Sequence, residues 1–212
     1  EFTMFLVIIN VLIFIISAFF SESLLESLLL YPADILLPTR YYSFITSAFL
    51  HANFAHLLGN CLALIIFGRV VERKLGVWRA AMIYFAAMLL GGMFQTVSSL
   101  LSGSGVPSLG ASGAIMGMVS AAILIEPFYI TYLVLIPLPI MVAGWIVIYG
   151  DVTGILNPVE EGIARFAHLG GYLSITVVTI LLDSAHRSKM KKGLIINLAS
   201  LAVAAVVYLF MI

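Results

Sequence analysis

The apolar residues of this chain fall in long runs. The runs are too long for strands that alternate faces and too uniform for helices with a single apolar stripe. A membrane span needs roughly 20 such residues. Seven stretches approach that length: 2–20, 54–71, 78–100, 110–126, 129–150, 163–182 and 194–212. The pattern predicts an all-α polytopic membrane protein. The first stretch exceeds a signal-peptide core and has no small-residue cleavage site, so it reads as a true span. Glu1-Phe2 reads as a cloning scar ahead of a start at Met4. No internal repeat, low-complexity tract or second domain interrupts the pattern. The connections are short except 21–53, which carries Pro32 and Pro38 and is too long to be a mere connector. Pro137 and Pro139 predict a kink in the fifth span. Asn157 is the expected N-cap of the sixth helix, with Pro158 at its first position and Glu160 at its third.

Composition agrees with the pattern. The chain is 63% apolar and 9% charged, against roughly 25% charged in a soluble domain. Its mean hydropathy is +1.18. A soluble globule and a disordered chain are excluded. Ten basic and ten acidic residues leave none of the basic excess that nucleic-acid binding requires. The single cysteine supports neither a disulfide framework nor a cysteine-built metal site. The cations sit asymmetrically. Arg69, Arg73, Lys74 and Arg79 share one loop, and Arg187, Lys189, Lys191 and Lys192 share another, while the opposite side holds Arg40 and Arg165. By the positive-inside rule the N-terminus is cytoplasmic and the C-terminus lies outside.

Polar groups inside a span are costly, so each is a candidate for function. His51, His56, Asn60, Ser112 and His168 all fall in the outer half of the bilayer. Gly113-x-x-x-Gly117 and Ala167-x-x-x-Gly171 flank two of them. Small residues four apart let helix backbones approach closely, so this spacing brings the Ser112 hydroxyl towards the His168 imidazole. A serine next to a histidine base is a nucleophile in waiting. Asp34, Asp151, Glu160 and Glu161 read as outer-loop residues, and Glu72, Glu126 and Asp183 as inner-end residues. With no carboxylate mid-span, the expected unit is a Ser112–His168 dyad rather than a triad. His56 and Asn60, one turn apart, present one face and suit the donation of hydrogen bonds to a developing oxyanion.

Other readings fit parts of the pattern. A membrane serine ordinarily bonds its own helix, and a membrane histidine often bonds a neighbouring one. His51, His56 and His168 offer a three-imidazole metal site, but His51 and His56 are splayed and no carboxylate completes the set. A transporter lacks support from repeat symmetry or a midplane carboxylate. A non-catalytic membrane chaperone or binding protein remains as the alternative.

His51-x-x-x-x-His56-x-x-x-Asn60, Gly110-Ala111-Ser112-Gly113 and Ala167-His168-x-x-Gly171, in that order, resemble the rhomboid intramembrane serine proteases. Glu72-Arg73-Lys74-Leu75-Gly76 is similar to the family's segment after the second helix. The resemblance covers residues 5–183. It implies a six-helix catalytic core within 1–183, to which 184–212 adds a basic cytoplasmic loop and a seventh transmembrane helix. It implies a serine endopeptidase that cuts transmembrane helices of single-pass proteins near the outer side of the bilayer, with no cofactor and no metal. Ser112 would be the nucleophile, His168 the base, and His56 and Asn60 the oxyanion donors, with His51 a structural hydrogen-bonder. The expected setting is a prokaryotic cell membrane, with the lipid bilayer and transmembrane substrates as partners and no nucleic acid. Three departures stand out: Tyr42-Ser43 for the family's Trp-Arg pair, Met116 for an aromatic residue that packs on the catalytic imidazole, and Ile175 for a glycine.

Overall fold

The computed structural model describes residues 1–133, 135–156 and 165–211. Asn157, Pro158 and Glu160, the expected cap of the sixth span, lie outside the described residues. Among the described residues, three helices are long and apolar enough to cross a membrane: Phe54–Leu75, Val77–Ser102 and Ser184–Val207. Shorter apolar helices cover Phe2–Ser17, Ser112–Ile125, Ile140–Leu156 and Arg165–Leu181.

Helix α1 (Phe2–Ser17) is held at its start by Glu72, whose carboxylate accepts the N–H groups of Phe2 and Thr3 at 2.8 and 2.9 Å. A carboxylate is favoured there because the first N–H groups of a helix have no partner within it. Residues 18–53 then form a folded unit. Helix α2 (Glu22–Leu28) is capped by Ser21, Pro32 and Pro38 each open a 3₁₀ turn, and α3 (Ser43–Thr46) follows. Asp34 is its centre and is only 3% exposed. It accepts the Tyr31 N–H at 3.0 Å, Arg40 Nε at 3.1 Å and the Ser43 hydroxyl at 2.8 Å. Burial alone would raise the Asp34 carboxyl, but these donors outweigh it and hold it below its ordinary value.

The helix Phe54–Leu75 consists of α4 (Phe54–Ala63), a π-helical turn over Leu64–Gly68, and α5 (Arg69–Leu75). It reverses at Gly76, whose φ of +83° lies in the region that favours glycine. The 26-residue α6 (Val77–Ser102) follows.

Helix α7 (Ser112–Ile125) is the centre of the molecule. All of its residues except Ser112 and Leu124 are buried, as expected for a helix apolar on every side. Small residues seat it against α6 and α9 (Arg165–Leu181). A Cβ added to Gly117 would lie 2.4 Å from Ala87 Cβ, and one added to Gly171 would lie 2.1 Å from the Gly113 carbonyl oxygen. The backbones therefore touch at the predicted small-residue stripes. Gly91 and Gly170 continue the contact between α6 and α9, where added Cβ atoms would lie 2.8 Å from Ala167 O and 2.7 Å from Leu90 O.

Two expectations fail. The predicted span 129–150 begins instead as an antiparallel hairpin, β1 (Ile130–Leu133) with β2 (Ile136–Pro139), and Ile130 pairs with Pro139 and Tyr132 with Pro137. Proline lacks the N–H that a helix interior needs, and alternate prolines fit the outer side of an edge strand. Pro137 and Pro139 thus precede a helix rather than kink one. Helix α8 (Ile140–Leu156) starts later and carries Asp151, which was expected in a loop. The basic segment 184–193 is also no loop. Helix α10 (Ser184–Met211) begins directly after Asp183, whose carboxylate accepts the His186 N–H at 3.0 Å. Its early residues are mostly good helix formers.

Helix α10 docks on the far end of α7. A Cβ on Gly193 would overlap the Leu124 carbonyl, at 1.8 Å. Asn197 Nδ2 donates to the Ile123 carbonyl at 2.8 Å, and Asn197 Oδ1 accepts Trp145 Nε1 of α8, also at 2.8 Å. Nearby, Lys74 and Lys189 both pair with Glu126. The Lys189 ammonium is the main reason the Glu126 carboxyl is held below its usual range.

Candidate active site

The N-terminus of α4 is set by Asn53, whose side chain accepts the His56 N–H at 2.9 Å. His51, buried just before it, packs edge-on against the His56 ring with centroids 5.1 Å apart. One turn on, Asn60 is 6% exposed and its Nδ2 has no hydrogen-bond partner among the described residues.

The facing turn is Gly110-Ala111-Ser112. Gly110 has φ +111° and donates its N–H to Ser47 O at 2.9 Å. A Cβ there would strike the His56 ring, 2.6 Å from Cε1 and from Nε2, and would lie 3.6 Å from Asn60 Nδ2. Glycine therefore serves twice, for its backbone angle and for the close approach of His56 and Asn60. The loop before this turn is pinned to residue 30 by paired backbone hydrogen bonds between Leu30 and Ser108. Ser112 is the first residue of α7, where N–H groups have no acceptor in the helix and the dipole favours negative charge. A cavity of about 30 Å³ is lined in part by Ser47, Ser108, Gly110, Ser112 and Ala167. That is room enough for a water.

His168 is the fourth residue of α9 and is 9% exposed. A Cβ on Gly113 would be 3.4 Å from Ala167 O, so the neighbours of Ser112 and His168 are in contact. His56 and His168 are near enough to interact electrostatically. The four predicted residues therefore converge on one end of the packed helices. No hydrogen bond joins Ser112 Oγ to His168 among the described residues.

The expectation that no carboxylate reaches His168 is overturned. Asp151 Oδ1 of α8 lies 2.7 Å from His168 Nδ1, and Tyr172 donates its hydroxyl to Asp151 Oδ2 at 2.6 Å. Tyr172 follows His168 by four residues, so both reach the same carboxylate from one helix face. Counting the fifth span from residue 129 had put residue 151 beyond its end. Recognising Ile136-Pro-Leu-Pro139 as extended chain moves the helix start to 140 and brings Asp151 inside it. Met116, which stands where an aromatic residue was expected, is buried beneath Gly171, with a Cβ-to-Cβ separation of 3.0 Å were Gly171 to carry one.

A polytopic helical protein with polar groups gathered at the N-terminus of a buried central helix is the class that this fold and site define. The chain belongs to the rhomboid family, as the Rhomboid domain model matches residues 38–185. It is an integral membrane protein. It is 29% identical over 181 residues to RHOMBOID-like protein 12, mitochondrial, of Arabidopsis thaliana, covering 78% of this chain and 54% of that one. It is 31% identical over 141 residues to rhomboid-type serine protease 2 of Emericella nidulans, covering 64% of this chain and 25% of the relative. It is 26% identical over 235 residues to the rhomboid protease AarA of Providencia stuartii, covering 98% and 82%. The chain thus spans about half or less of the first two relatives and most of the third.

Proposed function

We propose that this chain is an intramembrane serine endopeptidase. In this reading His168 takes the Ser112 hydroxyl proton as Oγ attacks the scissile carbonyl carbon. The carbonyl oxygen becomes an oxyanion that accepts hydrogen bonds from Asn60 Nδ2, His56 and the Ser112 N–H. The imidazolium returns the proton to the leaving amine, the C–N bond breaks, and an acyl-enzyme remains. Water, deprotonated by the same imidazole, then hydrolyses the ester and restores Ser112.

The observation that carries the reading is the Asn60 amide: buried, without a partner among the described residues and 3.6 Å from a Gly110 Cβ position, it is a donor directed at the serine turn. Two of the relatives are named as proteases, one of them as a serine protease. The substrates are transmembrane helices of single-pass proteins, cut near the outer face. The charge asymmetry supports a cytoplasmic N-terminus and an outward C-terminus.

The test is a fluorophosphonate reagent and a transmembrane substrate, applied to detergent-solubilised protein. Labelling and cleavage in the wild type, both lost in Ser112→Ala and both insensitive to chelator, are expected. A folded wild type that neither labels nor cleaves would point to a non-catalytic binding protein of this fold. Loss of activity with chelator and recovery with zinc would point to the three-histidine site.

A further inference from the structure

We infer that Asp151 is a positioning residue for His168, so that this site works as a serine–histidine–aspartate triad with Tyr172 bracing the aspartate. The inference rests on the reading of Ser112 and His168 as nucleophile and base, and goes beyond it. Three features of the geometry carry it. The Asp151–His168 contact is short, at 2.7 Å, and both side chains are largely buried, at 14% and 11% exposed. It is made to Nδ1, the nitrogen that must carry a proton if Nε2 is to accept one from a serine. The second carboxylate oxygen is occupied by the Tyr172 hydroxyl at 2.6 Å, which fixes the carboxylate plane and leaves Oδ1 for the ring.

A carboxylate only accepts hydrogen bonds, so this arrangement sets the tautomer: Nδ1 donates to Asp151, and Nε2 keeps its lone pair. When the Ser112 proton arrives at Nε2, the resulting imidazolium has a negative partner already in place and needs no rearrangement. The three groups come from two helices. His168 and Tyr172 lie four residues apart on α9, and Asp151 approaches from the late part of α8. The ring is thus gripped through its nitrogen, while Met116 lies beneath α9 at Gly171.

A purely structural clamp between α8 and α9 would use the same bonds, so the test must separate the two roles. Asp151→Asn keeps the shape and removes the charge. Its amide nitrogen, turned to Nδ1, would favour the tautomer in which Nε2 carries the proton and cannot accept another. We expect a melting temperature close to wild type. We expect kcat to fall on the order of 10²–10⁴-fold with KM little changed, and fluorophosphonate labelling of Ser112 to slow to a similar degree. Tyr172→Phe, which leaves the carboxylate but unbraces it, should lower kcat by a smaller factor.

Wild-type kcat and labelling rate in folded Asp151→Asn would overturn the inference. So would a kcat deficit no larger than the deficit in folded fraction. Should Asp151→Asn not fold, unchanged kcat in Tyr172→Phe would overturn it instead. Failure of the underlying reading looks different: wild-type protein would then not label at Ser112 at all, whereas here wild type labels and Ser112→Ala does not.

Discussion

Gly171 rests on the carbonyl of Gly113 so closely that a Cβ on Gly171 would come within 2.1 Å of the oxygen. Ser112 and His168 are neighbours of this contact on either helix, so the separation of α7 and α9 governs how they meet. Gly171→Ala must push the helices apart, because backbone cannot yield as a side-chain tip can. Overpacking of this kind costs about 1–3 kcal/mol, and activity should fall further than the loss of folded protein accounts for. Gly59→Ala, with nothing within 4 Å of its new Cβ, should leave the melting temperature unchanged or slightly higher. Melting curves and cleavage rates of the two variants in one detergent check the contrast.

In the proposed mechanism Asn60→Ala and His56→Ala remove donors whose value appears only as charge develops. Each should lower kcat by up to about 10²–10³-fold, with a smaller change in KM. Steady-state kinetics with a transmembrane substrate reads this out. A variant whose folded fraction keeps full kcat would assign that residue a structural role.

Asp34 gives a pH signature away from the candidate site. Its carboxyl is held below 3.8 in the folded protein, so the folded state binds its proton less readily than the unfolded chain does. The stability it contributes is fully present above about that value and is lost as pH falls through the lowered folded value. Wild type should melt above Asp34→Asn at pH 6, and the difference should shrink steadily below pH 4. Parallel thermal melts across that range measure it. A gap that stays constant would mean that Asp34 is not the titrating group.

Asn197 joins three helices through one amide. Asn197→Ala would leave the Ile123 carbonyl and Trp145 Nε1 without these partners. Hydrogen bonds between membrane helices are worth roughly 0.6–2 kcal/mol, so a drop of that order in stability is expected, with kcat of the folded protein retained. Denaturation in mixed micelles, read through tryptophan fluorescence, checks it.

Much of the candidate site is legible because membrane chemistry makes polar residues conspicuous: Ser112, His168, His56 and Asn60 stand out against apolar neighbours, and the Gly113 and Ala167 stripes indicate which helices approach. Asp151 was missed for a local reason. A run of apolar residues reads as a span whether it is helix or hairpin, and the two prolines that distinguish them are equally compatible with a bend in a helix. Tyr172 followed Asp151 into obscurity, since a tyrosine four residues after a histidine has no meaning without the carboxylate between them. The start of α10 was obscured by charge: Arg187, Lys189, Lys191 and Lys192 mark where apolar character stops, but helical winding depends on backbone preference and continues through them.

The π-helical turn at Leu64–Gly68 gives the helix that contains it two azimuths. Ahead of the turn, Asn60 and His56 address the Gly110 turn; behind it, Glu72 addresses the start of α1. Each residue advances a regular helix by about 100°, and a π turn takes up one residue more than regular winding would. Removing one residue from 64–68 would therefore restore regular winding and leave both ends facing as they do now. Adding one residue to a regular stretch on either side would instead turn one end by about 100°, so that the side chains facing the Gly110 turn and the grip on α1 could not both find their targets. The turn acts as slack in the residue count, and a deletion within it should cost less than an insertion beside it.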